Sequence, residues 1–89
     1  MDNQLLDTFS QISSQSGVLG FVCADENGLC LKAQGTCQSS TSGSYKSLMD
    51  KAKILADREE SPLIVIETDT SNIFIQNNQN ITLAVSKLP

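Results

Sequence analysis

Residues 61–87 read SPLIVIETDTSNIFIQNNQNITLAVSK, and this stretch decides the fold. Three apolar runs of strand length, rich in β-branched side chains, lie at 63–67, 73–76 and 81–85. The polar breaks between them are short and consist largely of Asp, Asn, Ser and Thr, which favour tight turns. Because a parallel crossover needs roughly a dozen residues, these breaks permit only antiparallel neighbours. The stretch therefore predicts a three-stranded antiparallel meander.

Upstream of the meander, the sequence predicts a hairpin. Residues 18–24 are apolar on both alternating sets, which predicts an internal strand covered on both faces. Asn27-Gly28 follows at once, and this pair is the strongest short-range hairpin signal. The returning strand is predicted at 29–36. Its alternation predicts three side chains facing inward, Leu29, Leu31 and Ala33, and three facing outward, Cys30, Lys32 and Gln34.

Two amphipathic helices are predicted to cover the sheet. The first carries an apolar stripe at helical spacing, Leu5, Leu6, Phe9 and Ile12, and is expected to lie across one sheet face. The second is capped by Thr41 or Ser42 and runs to about Ala56. Its apolar positions lie on one side of the helix: Tyr45, Leu48, Met49, Ala52, Leu55 and Ala56. The order α-β-β-α-β-β-β over residues 1–89 predicts one α+β domain with a five-stranded antiparallel sheet.

Composition argues against several kinds of partner and chemistry. With six Lys or Arg against ten Asp or Glu, the net charge of −4 disfavours nucleic acid and direct docking on an anionic membrane. The sequence has no histidine, no nucleotide-binding glycine motif and no CxxC pair. We therefore expect no catalytic residues, no cofactor and no metal. Glu67 and Asp69 could form an acid pair, but as a strand-end charge and a turn residue they are better explained structurally.

The three cysteines, Cys23, Cys30 and Cys37, have no partner pattern for zinc, and their odd number argues against a disulfide framework. Cys23 lies within an apolar strand, so we expect it to be a small core residue. Residues 1–4 are polar and acidic, which is not the start of a secretory signal, and Asp2 stands where N-myristoylation requires glycine. The expectation is a cytosolic chain that another protein would hold at any membrane.

Two features predict a surface for a partner. Ile54 lies about 160–180° around the second helix from its apolar stripe, at 100° per residue. An isolated exposed isoleucine is common, and the alternative is that a partner covers this side of the helix. The run 63–67 has apolar residues on both alternating sets, which predicts burial of both its faces, yet a meander entered from a helix would place it at the sheet edge. Because an apolar edge strand aggregates unless it is paired, this edge is expected to meet another chain.

The element order resembles the roadblock (dynein light chain) fold, which is also profilin-like. Within it, the sequence is similar to the smallest roadblock subunit of Ragulator, the late endosomal and lysosomal adaptor, also called the hepatitis B virus X-interacting protein family. The positions that carry the likeness are Gly17-Val18-Leu19-Gly20, Asp25, Gly28-Leu29, Gly35-Thr36, Glu67, Asn72-Ile73, Ile75-Gln76, Ile81-Thr82-Leu83-Ala84-Val85 and Lys87. The second predicted helix and the loop 37–43 match the family less well.

This resemblance implies a non-enzymatic scaffold that heterodimerises with a second roadblock subunit through its second helix and third strand. The implied interface residues are Leu48, Lys51, Ile54, Leu55, Leu63, Ile64, Val65, Ile66 and Glu67. The other implied partners are further Ragulator subunits and Rag-type GTPases, held peripherally at the lysosomal or vacuolar membrane for amino-acid signalling to TOR complex 1. The alternative from a different class is a small-molecule-sensing PAS-like or profilin-like domain, which would need a pocket with converging polar groups.

Overall fold

A computed structural model describes residue 11, residues 15–56 and residues 61–89. The strands are β1 (Val18–Ala24), β2 (Cys30–Gly35), β3 (Ile64–Glu67), β4 (Asn72–Asn78) and β5 (Ile81–Lys87). A 3-10 turn, Ser39–Thr41, leads into the helix α1 (Ser42–Leu55). The predicted first helix, with its stripe from Leu5 to Ile12, lies outside the described residues.

The strands form one antiparallel sheet in the order β2-β1-β5-β4-β3. The predicted meander is confirmed, because β3, β4 and β5 are consecutive neighbours. β1 pairs with β2 on one side and β5 on the other, which confirms it as an internal strand. β3 is an outermost strand, as the short connections predicted.

Two hydrophobic clusters occupy the two faces of the sheet. On one face, Met49 of α1 is fully buried against Val22, Ile75 and Ala84. On the other face, Phe21, Cys23 and Val85 form a second buried cluster. Since β1 and β5 contribute to both clusters, these two strands are the centre of the fold. The predicted core role of Cys23 is confirmed, for its side chain is 1% exposed.

The β1–β2 hairpin forms where Asn27-Gly28 predicted it, but the turn is of another kind. A two-residue Asn-Gly turn of type I′ needs positive φ at both residues, and here only Gly28 (φ 84°) has it. Instead, Asp25 Oδ1 accepts hydrogen bonds from the backbone N–H of Asn27 and Leu29, both 2.9 Å long. The positive-φ pair lies at Gln79 (φ 50°) and Asn80 (φ 66°), which connect β4 to β5.

The predicted alternation of β2 is wrong. The pairing of β1 with β2 shifts register between Cys23 and Ala24, so one residue is added on the β2 side. As a result, Cys30 and Ala33 both pack on the α1 face, whereas Leu31 packs on the other face. Leu29, predicted to face inward, precedes the strand and is exposed.

The position of α1 was predicted to within a residue, but its contacts were not. Thr41 is the N-cap residue, yet its side chain does not cap the helix, since Oγ1 donates to the carbonyl of Gln38 (2.7 Å). Ser42 Oγ donates instead to the carbonyl of Gly28 (2.8 Å), which ties the start of α1 to the β1–β2 turn. Leu48 and Leu55, predicted to lie on the same side of the helix as Met49, are exposed, whereas Met49 is buried.

Candidate partner interface

The edge strand β3 presents unpaired backbone groups to one side. Beyond its end, the N–H of Thr68 donates to the carbonyl of Ser71 (2.9 Å). Bonded and non-bonded pairs alternate along an antiparallel ladder, so Ile66 and Ile64 exchange hydrogen bonds with β4. The N–H groups of Val65 and Glu67 therefore point away from the sheet. This edge can accept a further strand.

The opposite edge, β2, is better protected than β3. The pairing of β2 with β1 contains the register shift at Ala24, and Lys32 in the middle of β2 is exposed. Both features discourage the addition of another strand. β3 pairs with β4 in one uninterrupted register and carries Ile, Val and Ile before its first charge, at Glu67. Although β3 is short, it is the apolar one of the two edges.

The side chains of β3 divide between the two faces of the sheet. Ile64 and Ile66 are half-buried and pack on the α1 face, beside Ile73 of β4. Val65 points to the opposite face and is 44% exposed, and Leu63, which precedes the strand, is 59% exposed. The expectation that this strand is buried on both faces is therefore wrong within the chain. Glu67, at the end of the strand, is exposed.

A polar contact fixes how α1 lies on the sheet. When the Asn77 amide is oriented to satisfy both its atoms, Nδ2 donates to Thr82 Oγ1 (3.2 Å) and the Ile81 carbonyl (2.9 Å). Its Oδ1 then accepts from Nζ of Lys53 (2.9 Å). Thr82 is 1% exposed, so this network satisfies a buried hydroxyl. The Lys53 side of α1 thus faces the β4–β5 turn.

The other flank of α1 is apolar and uncovered within the described chain. At about 100° per residue, Leu48 and Leu55 lie roughly 140–160° around the helix from Lys53. They therefore point away from the contact between Lys53 and Asn77. Leu48 is 40% exposed and Leu55 is 90% exposed. Next to them, on the solvent side, lie Lys51, which is exposed, and Ile54, which is 80% exposed.

The structure therefore brings part of the predicted interface together and separates the rest. We define the α1–β3 surface as the residues that share the α1 face: Leu48, Lys51, Ile54, Leu55, Ile64 and Ile66. The side chain of Val65 lies on the other face of the sheet, and Leu63 precedes the strand. Ile73 of β4, opposite Ile66, extends the apolar α1 face beside this surface, and the sequence prediction did not include it.

The described chain holds three free cysteines, of which Cys23 is buried. Burial, and then the nearby Cys30, raise the pKa of Cys23 to about 11, so its thiol stays protonated at neutral pH. Burial also raises the pKa of Cys37. Within residues 15–56 and 61–89, no group of three His, Cys, Asp or Glu residues could hold a metal ion. Glu67 and Asp69 are both exposed to solvent, which is not the setting that tunes an acid–base pair.

A small hollow lies where β1 and β2 approach each other most closely. It is lined by residues 18–21 with Gln34 and Gly35, and its volume is about 50 Å³. Ligand pockets commonly measure about 300–1,000 Å³, so this hollow is too small for a metabolite. It lends no support to the sensing-domain alternative. In the described part of the chain, no helix has the length and apolar character needed to cross a bilayer.

Comparison with known proteins identifies the family of this chain. Residues 1–87 match the profile of the family described as Ragulator complex protein LAMTOR5. A Ragulator complex protein LAMTOR5 homolog from Dictyostelium discoideum is 64% identical over 89 residues, covering 100% of both chains. A homolog of the same description from Nematostella vectensis is 36% identical over 90 residues, covering 100% of this chain and 99% of the relative. The chain belongs to the LAMTOR5 family.

A solved structure confirms the fold expected of a LAMTOR5 protein. A Roadblock/LC7 domain from Streptomyces avermitilis superposes with a TM-score of 0.70, covering 90% of this chain and 73% of that chain. The two sequences are only 17% identical, so the likeness concerns the fold alone. The predicted roadblock architecture and the predicted family are both confirmed.

Proposed function

We propose that this LAMTOR5-family chain is a non-enzymatic scaffold subunit of a Ragulator-type complex. It would act by forming a heterodimer with a second roadblock-fold subunit. The complex would hold Rag-type GTPases at the lysosomal or vacuolar membrane for amino-acid signalling to TOR complex 1. Membership of the LAMTOR5 family supports the place in Ragulator, and the open edge of β3 is the observation that carries the heterodimer.

Pairing through the α1–β3 surface would extend the sheet at the open edge of β3 and cover exposed apolar side chains of α1. A partner strand would accept from the outward N–H groups of Val65 and Glu67, which no strand of the described residues pairs. A partner helix beside α1 would bury the exposed parts of Leu48 and Leu55, which are 40% and 90% exposed. Since fully burying a leucine contributes about 1.5–3 kcal/mol, these two side chains would supply about 2–4 kcal/mol toward the roughly 8 kcal/mol of a micromolar affinity. We propose that the nine predicted interface residues lie at this contact, with Val65 and Glu67 contributing their outward N–H groups.

The direct test compares the proteins that co-purify with the unaltered chain and with a variant that has proline in β3. Val65→Pro removes an outward N–H, places a ring toward the partner strand, and breaks no hydrogen bond to β4. The tagged chain is expressed in its own cells, and the co-purified Ragulator subunits and Rag-type GTPases are quantified by mass spectrometry. We expect recovery of both to fall at least roughly tenfold, which corresponds to about 1.4 kcal/mol of lost binding.

The chain offers a matched control at the other edge of the sheet. The N–H of Thr36 donates to the carbonyl of Leu19 (3.1 Å), and alternation from there leaves the N–H of Ala33 pointing outward from β2. Ala33→Pro therefore makes the same chemical change at the protected edge, and recovery should match that of the unaltered chain. Thermal melting checks that both variants fold. Equal recovery with Val65→Pro and Ala33→Pro would rule out pairing through β3.

A further inference from the structure

Lys51 occupies the middle of the helix flank that the proposed function assigns to a partner. Along α1 it lies between Leu48 and Leu55, at a spacing of three and then four residues. Around the helix, at about 100° per residue, it lies between Leu55 and Ile54. A helix that packs along this flank must therefore pass Lys51 near the midpoint of the contact.

The charge of Lys51 is uncompensated in the described chain. Lys46 forms an ion pair with Asp50, one turn along the helix. Lys53 reaches the amide of Asn77, and Nζ of Lys87 lies 5.5 Å from the ring centre of Phe74. Lys51 has no such partner within residues 15–56 and 61–89, and it is the lysine that stands among the exposed apolar side chains of α1.

Two copies of this chain would bring like charges together at this point. A symmetric dimer is two-fold, so a residue near the axis meets its own copy. If two α1 helices packed antiparallel through this flank, the two Lys51 ammonium groups would face each other. Like charges placed against each other at an interface oppose association, whereas an opposite charge favours it and selects the partner. In coiled coils, a single lysine at a core position can specify register and oligomer state.

We propose that Lys51 selects the partner: the helix that packs against α1 carries an Asp or Glu opposite Lys51, and Lys51 disfavours pairing of two copies of this chain. This inference rests on the proposed function, because it assumes that α1 packs against a second roadblock-fold chain. It adds the chemistry that the partner must present. The occupant of the α1–β3 surface is thus a roadblock-fold protein with an acidic side chain at the centre of its own helix.

The proposal can be tested with this chain alone, because the Lys51→Glu variant supplies the acidic side chain proposed for the partner. Sedimentation measures self-association of the 89-residue chain, of Lys51→Met, of Lys51→Glu, and of an equimolar mixture of the unaltered chain with Lys51→Glu. Lys51→Met should dimerise about fivefold more tightly than the unaltered chain, because the like charges are gone. The mixture should associate at least about tenfold more tightly than either component alone, and added salt should reduce this gain. Lys32→Glu, a charge reversal on the β2 edge, should give no gain on mixing.

Two results would overturn the proposal. One is equal association by all Lys51 variants with no gain in the mixture. The other is a chain that stays monomeric in every variant and in the mixture, because removal of the like charges should allow pairing. The proposed function fails separately: it falls only if Val65→Pro leaves the recovery of Ragulator subunits unchanged.

Discussion

β1 and β2 approach each other closely at Gly20 and Gly35, and the distances there predict the effect of a substitution. The two residues are register partners, and Gly35 has φ of 66°. A Cβ at Gly35 would lie 2.2 Å from the carbonyl oxygen of Leu19 and 2.8 Å from the Cα of Gly20. Both neighbours are backbone atoms, so they cannot move aside without separating the strands. Gly35→Ala must therefore disturb the hairpin itself.

The size of the effect follows from two contributions. A residue other than glycine in the left-handed region costs about 1–2 kcal/mol. Separating the strands also weakens the hydrogen bond from Thr36 N–H to the Leu19 carbonyl (3.1 Å), worth about 0.5–1.5 kcal/mol. Together they predict a loss of about 1.5–3.5 kcal/mol in the free energy of unfolding. For a domain of this size that lowers Tm by about 6–28 °C.

Urea and thermal denaturation at a fixed protein concentration measure this loss, and two glycines provide controls. Gly17→Ala places alanine at a φ of 86° with no atom within 4 Å, so it should cost only the backbone term. Gly43→Ala lies in α1 with its Cβ 3.8 Å from the Gly28 carbonyl, and should stabilise by about 0.5–1 kcal/mol. A loss at Gly35 no larger than that at Gly17 would refute the steric argument.

Three further changes test the rest of the fold. Replacing Gln79-Asn80 by Asn-Gly should stabilise the chain by about 0.5–1 kcal/mol in urea denaturation, because both residues have positive φ and Asn-Gly suits that turn. Thr82→Val should cost about 1 kcal/mol, because Asn77 loses its buried hydroxyl partner. The folded state holds the pKa of Cys23 at about 11, against an ordinary value of 9.0. Between these pH values the unfolded chain loses this proton first, so stability should fall as pH rises, by up to about 2–3 kcal/mol more than in Cys23→Ala.

Each of these three predictions would be contradicted by a specific result. No gain from Asn-Gly would mean that the β4–β5 turn relaxes to another geometry in solution. A neutral Thr82→Val would mean that water replaces the lost hydroxyl. Parallel pH curves for the unaltered chain and Cys23→Ala would show that the thiol titrates alike in the folded and unfolded states.

The strand order was predictable because short breaks leave few choices. The 68–72 and 77–80 breaks force β3, β4 and β5 to be antiparallel neighbours, and the doubly apolar β1 had to be internal. The alternation in β2 was not predictable, because the register shift at Ala24 leaves no local mark. The turn type at Asn27-Gly28 was also not predictable from those two residues, because hydrogen bonds to the Asp25 side chain give this turn another geometry. The two consecutive residues with positive φ between paired strands are instead Gln79 and Asn80.

The candidate interface was predictable as a region and not in detail. Helical spacing placed Leu48 and Leu55 in the same stripe as Met49, and period alone cannot tell a core flank from a partner flank. The two flanks are distinguished by the position of the helix on the sheet. The contact between Lys53 and Asn77, which are far apart in sequence, shows this position. In β3 the edge position was predictable from topology, whereas the face of each side chain depended on register with β4.

Hydrogen exchange at β3 tests the central claim most directly. By residue-resolved NMR, the amides of Val65 and Glu67 are compared between the free chain and the purified Ragulator-type complex. The amides of Ile64 and Ile66 serve as internal references, since β4 already bonds them. Pairing through this edge predicts that Val65 and Glu67 exchange at least about tenfold more slowly in the complex. Unchanged exchange at these two amides, in a complex that contains the chain, would contradict the account.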